Sequence, residues 1–360
     1  MRIVLYSPYL DTFGGGEKYI MTMAEILSIE NSVDILLDQH LYNLGVGKMK
    51  DILSERFNLN LDKIRFIKGP VGKNSNFFQR SIFLRKYDLL VYLTDGSIFY
   101  PSAKKNILHI QSPIVGQPSE DLWGRFKLSG WNLVIYNSNF TRESSQKNWP
   151  ISSMVIYPPV DTDKIKPLRK KKYILSVGRF FGFLKDKKQE LLIEVFRDLY
   201  QNEHLIDWSL HLVGSASDGD LVYLEQLQNL AQGLPVKFYP NLKYDDLIVL
   251  YGKSQIYWHA AGFDEEEPTK MEHFGISTVE AMAGGCVPVV VGKGGQLEIV
   301  EDQVSGYLWN SLEELKKLTI NLTVNSNLRK KLSKEAIKKS MNFSKEKFTS
   351  KIIDLITQLH

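Results

Sequence analysis

The sequence predicts an α/β protein built from two doubly wound parallel sheets, and three observations lead to this fold class. The chain has 360 residues, which is more than one ordinary hydrophobic core usually fills. Both halves open with a short apolar strand, a loop and a helix whose apolar residues recur at helical spacing. Strand and helix patterns then alternate through each half, which is typical of parallel sheets covered by helices on both faces.

The first half, residues 1–160, opens with the strand RIVLYSPYL, continues through the glycine loop DTFGGGE and enters the helix KYIMTMAEILS. Apolar runs of strand length then recur, and turn residues separate them. The predicted strands of this half are 2–7, 33–37, 64–67, 89–93, 106–110 and 132–136.

The second half, residues 170–340, repeats this opening with the strand KKYILSVG, the basic loop RFFGFLKDKKQ and the helix ELLIEVFRDLY. Between the halves lies VIYPPVDTDKIKP, which is rich in proline and has no periodicity, so residues 158–169 are predicted to form a domain linker. The predicted strands of the second half are 173–177, 208–213, 236–239, 255–259 and 286–291.

The last segment, FSKEKFTSKIIDLITQLH, predicts a helix within residues 343–360. Its apolar residues fall along one stripe, and a helix of this kind needs an apolar surface to cover. The stripe consists of Phe348, Ile352, Leu355, Ile356 and Leu359.

Composition indicates a soluble globular protein, with 43% hydrophobic and 24% charged residues. The single cysteine, Cys286, excludes an internal disulfide. No stretch approaches the length needed to cross a bilayer, and the opening apolar run is too short for a signal peptide. We expect a cytoplasmic protein, with membrane association left open, and we predict no nucleic-acid partner.

The excess positive charge lies in the first half, where residues 1–160 hold 18 Lys/Arg against 14 Asp/Glu. Part of it is concentrated in residues 63–86, which also carry the apolar stretch NFFQRSIFL. One interpretation is a surface helix that turns its apolar stripe to the core. The other is a basic, apolar patch that contacts an anionic membrane or a phosphate-bearing acceptor. The residues concerned are Lys63, Arg65, Lys68, Lys73, Arg80, Arg85 and Lys86, with Phe77, Phe78, Ile82 and Phe83.

The richest segment is MEHFGISTVEAMAGGCVPVVVGKGGQLEIV, residues 271–300. Ser277 and Glu280 have the spacing of a capping box, in which Ser277 would be the N-cap of a short helix and Glu280 its N3 residue. Gly284 and Gly285 would end that helix before the buried strand CVPVVV. On this interpretation Glu280 has a purely structural role.

A functional interpretation rests on EHFG, which precedes the helix. Gly275 allows the backbone to approach a ligand, and the amides of residues 275–278 lie at the positive end of a helix, which suits an anion. Glu272 precedes that turn, so its carboxylate can accept hydrogen bonds from a polyol. One segment would then offer amides to a phosphate and two carboxylates to hydroxyl groups.

Glu272 and Glu280 in EHFGISTVE resemble the E-x7-E signature of the family-4 retaining glycosyltransferases. The resemblance extends along the chain through FGGGEK, HIQSP, VIYNSNFTRE, VIYPPVD and SVGRF. It is strongest to the branch with the eukaryotic mannosyltransferase that extends the dolichol-linked oligosaccharide and its prokaryotic relatives. It implies the GT-B architecture, in which two Rossmann-like domains face a cleft, the C-terminal helix crosses back to the first domain, and the linker closes the cleft when the donor binds.

The resemblance also implies roles for individual residues. Glu272 would contact the hydroxyls of the donor sugar, Glu280 would hold the ribose, and Arg179 would meet the diphosphate. The family lysine is matched by Lys187, with Lys185 as its competitor, because the loop here is longer than in the family. His109 would lie near the transferred sugar. The remaining predicted substrate contacts are Gly14, Gly15, Gly16, Phe274, Gly275, Ile276, Ser277 and Thr278.

The implied function is the transfer of a hexose, with mannose favoured, from a nucleotide-diphosphate sugar such as GDP-mannose or a UDP-sugar to a hydroxyl of a glycan or lipid-linked acceptor. The configuration would be retained, and no cofactor or obligatory metal is predicted, because DTD at 161–163 and DGD at 218–220 are interpreted as loop acids. His259 and the acids of 264–267 could order a divalent ion, but a solvated loop is favoured.

Other functions stay open. They are a sugar phosphorylase, an epimerase on the same fold and a non-catalytic sugar-nucleotide binding protein. A dinucleotide-dependent oxidoreductase is disfavoured, because FGGGEK lacks the G-x-G-x-x-G pattern.

Overall fold

The computed structural model describes residues 1–72, 75–114, 116, 118 and 121–359. The chain divides into two compact units. The first unit comprises residues 1–159 and 346–360, and the second comprises residues 160–345. Each unit is built around one parallel β-sheet, which confirms the predicted fold class.

The first unit has a parallel sheet of 7 strands in the order β3-β2-β1-β4-β5-β6-β7. The order reverses between β1 and β4, which is the switch point of a doubly wound sheet. The strands are β1 (Arg2–Tyr6), β2 (Ser32–Leu37), β3 (Arg65–Lys68), β4 (Leu89–Leu93), β5 (Lys105–Ile110), β6 (Leu133–Tyr136) and β7 (Ser153–Val155). The helices of this unit that precede the second unit in the chain are α1 (Gly15–Leu27), α2 (Gln39–Asn43), α3 (Val46–Phe57), α4 (Phe77–Leu84), α5 (Leu122–Leu128) and α6 (Asn139–Ser145).

The second unit has a parallel sheet of 6 strands in the order β10-β9-β8-β11-β12-β13, which again reverses beside its first strand. The strands are β8 (Tyr173–Val177), β9 (Ser209–Gly214), β10 (Val236–Pro240), β11 (Ile256–His259), β12 (Val287–Val291) and β13 (Tyr307–Trp309). The helices are α7 (Gln189–Gln201), α8 (Leu221–Leu230), α9 (Tyr244–Lys253), α10 (Ile276–Ala283), α11 (Gln296–Ile299), α12 (Leu312–Val324) and α13 (Ser326–Ser340), and α14 (Lys345–Leu359) follows.

All the predicted strands form, and no strand end differs from its predicted position by more than one residue. The sequence analysis missed β7 and β13, which are edge strands of 3 residues each. A segment this short carries too few apolar positions to establish an alternation.

The terminal helix α14 packs in the core of the first unit, as predicted. Phe348, Ile352 and Leu355 are buried in the same cluster as the apolar residues of β1 and α1. Phe348 also meets the ring of Tyr19 edge to face, with 4.9 Å between the ring centroids. The apolar stripe of the helix therefore covers the first sheet.

The second unit begins at Val160, so most of the segment predicted as a linker packs on that unit. Val160 donates a backbone hydrogen bond to Phe343 O and accepts one from Lys345 N. Leu168 N donates to Gly252 O, and Ile165 is buried.

Helix α4 does not turn its apolar stripe to the core as the first of the two interpretations of residues 63–86 predicted. The core-facing residues of this helix are Ser81 and Leu84, whereas Phe78 and Ile82 are 73% and 71% exposed. The idea that its apolar stripe faces the core is therefore wrong for Phe77, Phe78 and Ile82, and only Phe83 packs partly against the core. Lys73 lies outside the described residues.

Across the described ranges, every helix is either too short or too polar to span a lipid bilayer.

Candidate active site

Helix α10 starts differently from the prediction. Its N-cap is Gly275, whose φ of 116° lies in the left-handed region, and no side chain caps the helix. The predicted capping box of Ser277 and Glu280 is therefore wrong, because both residues lie inside the helix. The positive φ strains any other residue at Gly275, and a Cβ there would also lie 2.8 Å from Gln296 Nε2, so glycine is strongly favoured. The helix does end at Gly284, followed by Gly285 with φ of 77°.

Glu280 is held by two tyrosines instead of capping its own helix. Tyr244 donates to Oε1 at 3.1 Å, and Tyr251 donates to Oε2 at 2.9 Å. Both tyrosines lie on α9, two turns apart and hence on one face. Burial and the charge of Glu280 raise the pKa of both tyrosine hydroxyls, so they stay protonated and act as donors. The carboxylate of Glu280 is therefore fixed from outside its own helix.

The carboxylate of Glu272 forms an ion pair with a lysine and a hydrogen bond with a histidine. Lys187 Nζ lies 2.9 Å from Glu272 Oε2, and His259 Nε2 lies 3.0 Å from the same oxygen. Burial alone would raise the pKa of the Glu272 carboxyl, but Lys187 and His259 outweigh it and hold the pKa well below its usual range. Burial likewise lowers the pKa of the Lys187 ammonium, and the charge of Glu272 reverses that shift. Both groups are charged at neutral pH.

The loop between β8 and α7 brings Lys187, not Lys185, to Glu272. The backbone is left-handed at Lys185 and Lys188, with φ of 49° and 54°. Lys185 turns to Glu190, 3.0 Å away, whereas the Lys187 side chain crosses Gly178, where a Cβ would lie 2.9 Å from Lys187 Cγ. The geometry thus favours Lys187 as the match for the family lysine.

Arg179 stands at the start of the same loop. Its charge opposes the rise in the pKa of Lys187, so the two cations lie within electrostatic reach of each other. The guanidinium lies 5.6 Å from the ring centroid of Phe181. Arg179 and Lys187 therefore lie in the same part of the second unit. The contact of Lys187 with Glu272 places them near the start of α10.

Beside Glu272 is an open cavity of about 180 Å³. Its wall combines acids, lysines and a histidine with a few apolar groups, which suits a polar ligand that has a carbon framework. The lining residues are Leu184, Asp186, Lys187, Ala261, Glu265, Thr269, Lys270, Met271, Glu272 and His273.

The other residues around α10 that were predicted to contact the substrate also have contacts within the protein, and their role at the substrate stays a prediction. Phe274 is buried and meets the ring of Phe343 edge to face at 5.4 Å. Tyr257 donates to Ser277 Oγ at 2.8 Å, and Thr278 is fully buried. Ile276 is the first helical residue, half-buried.

The residues predicted in the first unit lie around the start of α1. Gly14 N donates to Glu17 at 2.7 Å. HIQSP approaches the glycine loop closely, since a Cβ on Gly16 would lie 1.8 Å from Gln111 Nε2 and the Gln111 side chain would have to shift to admit a larger residue. Gly15 begins the helix.

His109, predicted to lie near the transferred sugar, is completely buried. Its Nδ1 lies 3.1 Å from Ile135 O, and its ring stacks on Tyr19 with 4.0 Å between centroids. Burial lowers the pKa of His109 to about 4, so the ring is neutral at pH 7. Its role at the sugar stays a prediction.

The loop acids of the second unit have partners within the protein. Asp220 accepts from Ser217 and from Gly182 N, and Glu265 pairs with Lys188 at 2.6 Å. Within the described residues, no three His, Cys, Asp or Glu side chains converge on a point that would hold a metal ion.

Sequence reasoning missed three residues that the structure brings to the site. They are Tyr244 and Tyr251, which hold Glu280, and His259, which the sequence analysis associated with the acidic loop rather than with Glu272. The spacing of seven residues between the tyrosines was the one available signal, because it puts both on one helical face.

Residues 160–339 match the family described as "Glycosyl transferases group 1". Among curated proteins, the chain is similar to the GDP-Man:Man(3)GlcNAc(2)-PP-Dol alpha-1,2-mannosyltransferases of Dictyostelium discoideum and Homo sapiens. It is 26% identical to the first over 63% of this chain and 47% of that protein. It is 26% identical to the second over 84% of this chain and 59% of that protein. The chain thus spans about half the length of these relatives.

Solved structures show the same fold across the whole chain. A glycosyltransferase from Rickettsia africae ESF-5 superposes with a TM-score of 0.76 at 19% identity, covering 99% of this chain and 98% of that one. Anabaena Alr3699/HepE in complex with UDP superposes with a TM-score of 0.72 at 18% identity, covering 99% and 100%. Because the family match covers half of the chain, including both acids of the E-x7-E signature, the chain belongs to the glycosyl transferases group 1 family.

Proposed function

We propose that the chain is a retaining glycosyltransferase that moves a hexose, with mannose favoured, from a nucleotide-diphosphate sugar to a hydroxyl of a glycan or lipid-linked acceptor, without an obligatory metal. The observation that carries the proposal is the convergence of Lys187 on Glu272 beside the start of α10, eight residues before Glu280.

The chemistry of the leaving group explains these residue types. When the glycosidic bond to the diphosphate breaks, negative charge grows on the phosphate oxygens and positive charge grows on the sugar ring. Arg179, Lys187 and the amides at the start of α10 are fixed donors that stabilise the first charge. Such donors need no reorganisation during the reaction, so they can stabilise the leaving diphosphate without a metal.

Glu272 and Glu280 suit hydroxyl groups on either side of that diphosphate. Lys187 and His259 both contact Oε2 of Glu272, and within the described residues no hydrogen bond reaches its Oε1, which is thus able to accept from a sugar hydroxyl. Glu280 can accept from a ribose in addition to its tyrosines, because each carboxylate oxygen has two lone pairs.

The donor is proposed from the names of similar proteins. The curated relatives are named for GDP-Man and for alpha-1,2-mannosyl transfer, which favours GDP-mannose. The Anabaena protein is described with UDP, so UDP-sugars stay in the test.

A lipid-linked acceptor is supported by the surface of the first unit. Leu122 and Trp123 on α5 are 84% and 65% exposed. Phe78 and Ile82 on α4 are exposed to a similar extent. The two helices flank one segment, because Ser102 Oγ donates to Ser81 O and the ring of Tyr100 stacks on Phe126. We call the exposed apolar residues of α4 and α5 the apolar face. Basic residues accompany it, namely Arg85, Lys86, Arg125 and Lys127, and this combination suits an anionic membrane surface.

A transfer assay with GDP-mannose and UDP-sugars tests the function, with lipid-linked and soluble glycans as acceptors. E272A should bind the nucleotide nearly as well as the wild type but lose at least about a hundredfold in transfer, as expected when a group that acts on the reacting sugar is removed. E266A, an exposed acid of the neighbouring loop, should transfer normally. Turnover unchanged in E272A would refute the role of this acid, and sugar 1-phosphate formation that depends on inorganic phosphate would favour a phosphorylase.

Sedimentation with lipid vesicles tests the membrane contact separately. The wild type should bind vesicles that contain phosphatidylserine and not vesicles of phosphatidylcholine alone. F78S combined with W123S should abolish the binding, while I353S, which removes an exposed apolar residue on α14, should keep it. Equal binding by both variants would argue against the apolar face.

A further inference from the structure

His259 holds a carboxylate that the sequence had not connected to it. The residue ends β11, which pairs with β8 on one side and with β12 on the other, where His259 lies opposite Val290. Its side chain is 4% exposed, and Nε2 reaches Glu272 Oε2 at 3.0 Å. A central strand therefore supports the imidazole rigidly beneath Glu272.

The direction of this hydrogen bond follows from the charge of Glu272. An ionised carboxylate can only accept, so Nε2 carries the proton and donates. The second donor to the same oxygen is Lys187, which is also the residue that the proposed function assigns to the diphosphate. When a diphosphate shares Lys187, His259 remains as the donor whose position does not depend on the ligand.

The other ring nitrogen argues against a purely structural histidine. Among the described residues, Nδ1 of His259 is buried and has no hydrogen-bond partner. A buried polar atom without a partner costs stability, and an apolar side chain of similar size would fill the same space without that cost. The bond to Glu272 is the compensating contact.

We propose that His259 is a positioning residue, which fixes the carboxylate of Glu272 so that Oε1 faces the hydroxyls of the donor sugar. The inference rests on the proposed function and adds to it a residue responsible for sugar recognition. Its effect should appear in the affinity for the sugar and not in the affinity for the nucleotide, because the diphosphate and ribose are assigned to other residues.

The test is calorimetric titration of the full chain with GDP and GDP-mannose, and with UDP and UDP-glucose. The quantity measured is the sugar preference, defined as the affinity for the sugar nucleotide divided by that for the nucleotide. His259→Leu should lower the sugar preference about tenfold, the size expected for a hydrogen bond to a charged group, and should change the nucleotide affinity less than about twofold. His259→Gln, whose amide nitrogen can still donate, should restore most of the preference.

Two further measurements separate positioning from folding. Both variants should remain folded at the temperature of the titration, with H259L melting lower than H259Q, because leucine removes a hydrogen bond to the charged Glu272 carboxylate that glutamine can keep. In the background of E272A, H259L should have no further effect on the sugar preference, because the two residues act as one unit.

Each contrary result has its own meaning. An unchanged sugar preference in H259L overturns the inference, as does a loss in H259Q equal to that in H259L. A wild type that binds a nucleotide without any sugar preference also overturns it, while leaving the nucleotide site intact. If the wild type binds no nucleotide at all, the proposed function fails, and this inference fails with it.

Discussion

The hydroxyl of Tyr251 offers a sharp test of how Glu280 is held, and Tyr251→Phe removes only that group. Tyr251 is fully buried and donates to Glu280 Oε2 at 2.9 Å, while Glu280 itself is 6% exposed. Water therefore cannot replace the lost donor. A hydrogen bond to a charged group contributes about 1.5–3 kcal/mol. Tyr244 still donates to the other oxygen, so we expect a loss near the lower end, about 2 kcal/mol.

The loss should be visible as a lower melting temperature of the second unit. For a domain of this size, 1 kcal/mol corresponds to about 2–4 °C, so Y251F should melt about 4–8 °C below the wild type in differential scanning calorimetry. Hydrogen exchange should increase in peptides that cover α9 and α10 and stay unchanged in the first unit.

Tyr244→Phe is the matched control, because Tyr244 donates to the same carboxylate but is 36% exposed. Solvent reaches this tyrosine more readily than Tyr251, so Y244F should cost less than Y251F, at about 1 kcal/mol or below. A loss in Y251F below about 0.5 kcal/mol, or a larger loss in Y244F than in Y251F, would refute the reasoning from burial.

Four further predictions concern the stability of the chain and the proposed reaction. Gly275→Ala should lower the free energy of unfolding in urea by about 1–3 kcal/mol, because Gly275 has a positive φ and lies close to Gln296. Gly47→Ala is the control and should not destabilise the chain, because a Cβ at Gly47 would meet no neighbouring atom within 4 Å. The pKa of His109 is about 4 when folded and higher when unfolded, so the unfolded chain binds the extra proton and stability should fall as the pH drops from about 6.5 to 4. His109 contributes at most about 1.4 kcal/mol per pH unit to the change in unfolding free energy. H109Q should therefore show a flatter dependence of unfolding free energy on pH. Transfer should survive an excess of EDTA in the activity assay, and a strict requirement for added Mg²⁺ or Mn²⁺ would contradict this expectation. The product should have the anomeric configuration of the donor, as measured by proton NMR coupling constants.

The elements of the fold were predictable because their signals are local. Apolar runs of strand length and helical periodicity appear within single segments, and Gly284 and Gly285 end α10 where the sequence predicted. The neighbourhood of Glu272 and Lys187 was predicted from a resemblance, which also favoured Lys187 over Lys185. The left-handed backbone at Lys185 and the pairing of that side chain with Glu190 were not predictable, because no sequence pattern indicates them.

The hydrogen-bond partners of Glu280 and the direction of the apolar stripe on α4 were not predictable from local sequence. The S-T-V-E pattern is typical of a capping box, yet Gly275 starts the helix without a side-chain cap, and Glu280 is taken by tyrosines that lie 29 and 36 residues earlier. On α4, periodicity marks an apolar stripe but not its direction. That direction is set by Leu84, which packs in one cluster with apolar residues of the first sheet, and by Ser81, which is buried beside it on α4.

Binding of nucleotides to the full chain tests the central claim most directly. The melting temperature should be measured with GDP, UDP, ADP and their sugars, because a ligand that binds only the folded state raises it. We predict a clear increase with one nucleotide diphosphate, a further increase with its sugar, and loss of that further increase in E272A. Melting temperatures that no nucleotide or nucleotide sugar changes would contradict the account.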